Sequence, residues 1–165
     1  MIYDFYFKKP VFWDYIIALG IMLLLYLAYQ KSRLSIPDAQ DSYSLTGDLT
    51  NITLTLAGFI LTILTVLITF KDSSNDVQIT DDNVSSFNKF FSTDFYYETV
   101  KHLKNCIKSI IFISAIGFFI KLFMLNELRK FFFFYNVLGL TITILTVYRC
   151  LLILSKVLVL QKKDK

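Results

Sequence analysis

Four long apolar runs divided by polar stretches set out the chain. Residues 12–29 are interrupted only by Asp14, residues 52–70 hold no charge, and residues 106–124 carry Lys108 and Lys121 near their ends. Long cationic side chains in such places reach the headgroups. The fourth run, residues 131–160, would be roughly 45 Å long as a helix, more than the ~30 Å hydrocarbon core. Arg149 and Lys156 put the excess on the water side, so the spanning part is expected over about 131–150. Lipid offers no partner for free backbone amides, and the runs are too long and uniform for barrel strands, so all four are expected to be helices. The predicted fold is an all-α, polytopic membrane protein: one four-helix domain over residues 1–165, with a loop at 71–105.

Polar positions inside the runs are ordered too. Asp48, Asn51, Thr55, Gly58, Thr62, Thr65 and Thr69 follow at alternating steps of three and four, which on an α-helix makes one stripe from interface to interface. Asn136, Gly139, Thr143, Thr146 and Cys150 do the same in the fourth span, and a shift of 81 positions lays Thr62-Ile63-Leu64-Thr65-Val66 on Thr143-Ile144-Leu145-Thr146-Val147. Two readings stand. The stripes can be packing seams, since Gly and Thr let helices approach and Thr bonds back to its own helix. Alternatively, stripes from several subunits converge on a hydroxyl-lined pathway, which requires a homo-oligomer because four helices in one chain pack solidly. Both rest on the two stripes sharing one azimuth, hidden from lipid.

The loop between the second and third runs changes character along its length. Residues 71–82 are polar, whereas Val84, Phe87, Phe90 and Phe91 are spaced like one face of a short helix, with Asp82 or Asn83 as N-cap. Ser92, Thr93 and Asp94 offer a second cap before Tyr96, Val100, Leu103 and Ile107 lead into the third span. Phe87, Phe90 and Phe91 are expected to dock on the protein's own fourth helix, or else to contact lipid or a partner.

Charge sets the orientation. With the N-terminus on one side, that side holds nine Lys and the other holds Lys31, Arg33, Arg129 and Lys130, which predicts both termini in the cytoplasm of a bacterial inner membrane. Lys8 and Lys9 precede the first run as in a secretory signal, but Tyr26, Tyr29, Gln30 and Lys31 replace a small-residue cleavage point, so a retained anchor is expected. Cys106 and Cys150 fall at the cytoplasmic ends of their spans and read as free thiols. Asp14 reads as hydrated at the interface in preference to paired with Lys8, Lys9, Lys71 or Arg149. His102, between Lys101 and Lys104, reads as a surface residue.

Composition narrows the chemistry. Of 165 residues 55% are apolar, with two Cys and one His, which leaves no zinc spacing and no disulfide framework. No Walker loop, Ser/His/Asp set, paired carboxylates or Gly-rich phosphate turn is present, so neither catalysis nor a cofactor is expected. The formal charge of +4 is spread over both sides, which argues against direct nucleic-acid binding.

The segment LAGFILTILTVLITFK, a polar loop, the aromatic stretch NKFFSTDFYYETVKHLKNCIKS and two closely linked spans together resemble small membrane proteins of bacterial anti-phage systems. These are the multi-span accessory proteins of RNA-guided RNA-cutting CRISPR systems and the four-span membrane component of the Kiwa system. The resemblance implies sensing or disturbing the inner membrane during infection, as a homo-oligomer. His102 lacks an Arg four to six residues upstream, a departure from those accessory proteins that carry a nuclease-like helical domain. The expected function is therefore a membrane-perturbing or pore-forming component of defence. The alternatives are a non-conducting sensor or anchor that recruits a cytoplasmic effector, or a structural subunit of a larger membrane complex.

Overall fold

The computed structural model describes residues 10–75, 90–91, 93–123, 128 and 131–162. Within them the chain forms four long helices, α1 (Pro10–Gln30), α2 (Ala39–Asn75), α3 (Asp94–Phe123) and α4 (Phe132–Lys162). All four are long and apolar enough to cross a membrane, which marks the chain as a membrane protein of the all-helical class. Contacts fix an alternating up-and-down order. Asp14 meets Arg149 and Lys71 meets Tyr97 at one end, while Tyr26 meets Phe134 and Tyr43 stacks on Phe132 at the other.

Local sequence sets the helix limits. Proline at the first position of α1 has no N–H to leave unsatisfied. At its end Ser32 N–H donates to Tyr29 O and Arg33 N–H to Ala28 O, the paired bonds of a Schellman closure, with Ser32 in the left-handed region at φ 52°. Asp38 O accepts from Ser42 N–H as α2 starts, and Asp41 lies in its first turn, favourably placed against the helix dipole. Thus α2 begins well before the apolar run at residue 52, and the largely polar residues from Ala39 that lead into that run are already helix. The sequence reading of α3 from Asp94 and of the fourth run continuing as helix past residue 150 agrees with the helices observed.

The helices do not form a symmetric ring. The most extensive interface joins α2 to α3, α4 packs on both, and α1 leans on α4, barely meets α3 and among the described residues makes no contact with α2. Only Pro10, Asp14 and Ala18 of α1 are buried. The outer faces carry Leu24, Phe59, Phe119, Leu122 and Ile144, side chains that lipid, not water, accommodates. The core between α2, α3 and α4 holds Ile60, Leu64, Leu103, Cys106, Ile110 and Cys150.

Phe90 and Phe91 are buried in this same cluster beside Tyr96. They serve the protein's own packing and present no surface to lipid or a partner. Val84 and Phe87 lie outside the described residues, as does most of the short helix expected there.

Gly117 marks the tightest crossing. A Cβ there would stand 2.6 Å from Thr50 Oγ1 and 2.8 Å from the Tyr135 hydroxyl, so α2, α3 and α4 meet at this level only because the side chain is a hydrogen. Gly117→Ala is expected to destabilise by about 1–3 kcal/mol through overpacking. A thermal melt in detergent reads it, and an unchanged transition would show that the crossing can loosen.

Candidate functional site

Helix α2 carries polar rows on two opposite faces. The row read from sequence, Asp48, Asn51, Thr55, Gly58, Thr62, Thr65 and Thr69, is exposed along its whole length. Four of its hydroxyls donate to their own helix, Thr55 to Asn51 O at 2.9 Å, Thr62 to Gly58 O at 3.0 Å, Thr65 to Leu61 O at 3.0 Å and Thr69 to Thr65 O at 3.1 Å. Nothing lies within 4 Å of where a Gly58 Cβ would stand. A shallow groove of about 200 Å³ lined by Thr65, Val66, Thr69 and Phe70 opens on the same face.

The second row is Ser42, Thr46, Thr50 and Thr53, all buried. It lies two residues, roughly 200°, around the helix from the first. Its steps of four, four and three are present in the sequence, but its first half precedes the apolar run, where polar residues resemble a loop. This inner row packs against the polar row of α4. Thr46 Oγ1 donates to Asn136 Oδ1 at 2.8 Å, and Asn136 Nδ2 donates to Ser42 O at 2.9 Å. Farther along, Thr53 and Ser114 hydroxyls bond each other, and Ser114 also reaches Thr50 O. Such pairs satisfy groups that a hydrocarbon interior would leave costly.

The two sequence stripes therefore do not share an azimuth. Asn136, Gly139, Thr143, Thr146 and Cys150 of α4 face inward and are buried, with Gly139 under Leu49 and Ile113. Thr143 donates to Gly139 O at 2.7 Å, and the buried Thr146 hydroxyl has no hydrogen-bond partner among the described residues. The repeated pentapeptide has opposite environments in its two copies: Thr62 and Thr65 point out, while Thr143 and Thr146 point in. Local sequence is the same, but α4 lies between three neighbours whereas α2 has one face free.

At the end bearing the α1 N-terminus lies a buried ion pair. Arg149 Nη1 donates to Asp14 Oδ2 at 2.6 Å, with both side chains 1% exposed. Hydration, the preferred expectation for Asp14, is replaced by this pairing. The reason is topological: α1 packs on α4, and Asp14 lies on the narrow side of α1 that does so. Tyr15 accepts from Ser109 nearby at 3.4 Å. His102 is half-buried, not a surface residue, and has Arg149 among its charged neighbours. Cys106 and Cys150 are both free and buried here.

No family model, curated protein or solved structure matches this chain. Two features set the fold apart from a plain apolar bundle, the outward polar row of α2 and the buried Asp14–Arg149 pair. Among the described residues no group of three or more His, Cys, Asp and Glu could hold a metal ion.

Proposed function

We propose that this protein assembles with copies of itself through the outward row of α2 and forms a weakly selective, hydroxyl-lined pathway through the bacterial inner membrane. The observation that carries this reading is the exposure of Asp48, Asn51, Thr55, Gly58, Thr62, Thr65 and Thr69 on a helix whose other exposed positions within the apolar run are Ile52, Leu54, Phe59, Leu61, Val66, Ile68 and Phe70. All seven positions are exposed in the single chain, so a seam buried between its own helices does not account for the row. Small side chains and an open Gly58 allow close approach of a second helix, and the groove at Thr65 and Thr69 offers room for a side chain from it.

The back-bonded hydroxyls matter to the mechanism. Each Thr has used its proton on its own helix, so the face turned outward offers oxygen lone pairs and methyl groups, a weakly polar lining suited to cations. Asp48 and Asn51 supply a polar mouth at one end. Both termini in the cytoplasm, and a role in disturbing the membrane during phage infection, accompany this proposal from the Lys/Arg distribution and the resemblance given above.

Purified protein in liposomes is expected to pass small cations. Replacing Thr62 and Thr65 together by Leu is expected to abolish conductance while leaving helicity and thermal stability unchanged, since neither side chain contributes to the core. Conductance unaffected by the double replacement would retire the pathway.

A further inference from the structure

Where α3 begins and α4 runs out, an open groove of about 390 Å³ lies between the two helices, lined by Phe95 of α3 and by Ser155, Lys156 and Val159 of α4. Small-ligand sites hold roughly 300–1,000 Å³. The stretches long and apolar enough to cross a membrane end at this level, at Asp94 on α3 and Val157 on α4. The groove also continues the outer face of α4: Ile144, Tyr148 and Leu151 are exposed at steps of four and three, and Ser155 and Val159 follow at steps of four, exposed as well. Phe95 packs against the core and gives the groove a fixed wall.

The lining combines two chemistries. Phe95 and Val159 are apolar, whereas the Ser155 hydroxyl and the Lys156 ammonium are hydrogen-bond donors and Lys156 carries a full positive charge. An occupant that satisfies both has a hydrocarbon tail and an anionic acceptor. The surrounding charge has the matching sign: residues 156–165 hold Lys156, Lys162, Lys163 and Lys165 against Asp164, while on α3 Asp94 and Glu98 are balanced by Lys101 and Lys104. We propose that the groove seats one acidic glycerophospholipid, with its phosphate on Lys156 and Ser155 and an acyl chain along Phe95, Val159 and the outer face of α4. Hydrocarbon gives way to headgroups at the ends of the spans, and basic pockets between membrane helices are suited to acidic headgroups. A zwitterionic lipid brings its own cation to the phosphate and gains less from Lys156. Of the three core helices, α3 and α4 share the least extensive contact, so a lipid held between them adds a tie where the protein's own packing is thinnest.

The test uses the full chain in detergent, mixed with equal amounts of phosphatidylglycerol and phosphatidylcholine and weighed by native mass spectrometry. One phosphatidylglycerol per chain is expected to survive activation that strips phosphatidylcholine. Lys156→Gln is expected to weaken that retention about fivefold, the effect of one basic side chain at an acidic lipid surface. Lys104→Gln removes the same charge from an exposed position on α3 more than two turns from Phe95 and is expected to leave retention unchanged. Val159→Trp fills the groove with the charge intact and is expected to lose the bound lipid. All three replaced side chains are exposed, so the core is untouched. Equal retention of the two lipids, a loss in Lys104→Gln as large as in Lys156→Gln, or full retention in Val159→Trp would overturn the inference.

Discussion

Arg149→Met is expected to cost about 3–5 kcal/mol, the range for breaking one side of a buried ion pair. The Asp14 carboxylate is 1% exposed and its pairing with Arg149 spans 2.6 Å, so removing the guanidinium strands a buried charge without its counter-ion. The companion variant Asp14→Leu/Arg149→Met removes both charges and is expected to recover most of the loss, because burying the pair had itself cost desolvation. Helix α1 should report the damage first. It buries only Pro10, Asp14 and Ala18, so its separation from α4 needs little else to break. Trp13, adjacent to Asp14 and the chain's one tryptophan, gives a fluorescence signal for that step, and circular dichroism follows the remaining helices. In Arg149→Met the fluorescence transition is expected at lower temperature than the dichroism transition. Coincident, unshifted transitions would mean that the pair contributes little.

What could be read from the sequence depended on whether a feature was local. Four long apolar helices, the start of α3 at Asp94 and the continuation of α4 past residue 150 follow from run length and capping residues, which act within a few turns. The azimuth of each stripe did not follow. A period of three and four residues says that Thr62, Thr65, Thr143 and Thr146 lie on stripes, but which side of a helix meets its neighbours depends on where those neighbours are. In a membrane, polarity does not settle this, since Thr satisfied by its own helix tolerates either environment. Asp14 illustrates the same limit: its partner lies 135 positions away, and among several cations only the packing of α1 on α4 selects Arg149. The inner row from Ser42 to Thr53 is periodic in the sequence too, but polar residues before an apolar run resemble a loop, which hides it.

The second large effect concerns assembly. The face formed by Thr55, Thr62 and Thr69 should meet another copy of the chain, whereas Leu24 on α1 and Ile144 on α4, both well exposed, should meet lipid. Single cysteines at these positions, introduced one at a time with Cys106→Ser and Cys150→Ser, separate the two environments. In native membranes a short bis-maleimide is expected to convert Thr55→Cys, Thr62→Cys and Thr69→Cys largely to covalent dimers and to leave Leu24→Cys and Ile144→Cys monomeric. Dimer yields from the α2 positions no higher than those from Leu24→Cys and Ile144→Cys would contradict the account, because the outward polar row would then face only acyl chains.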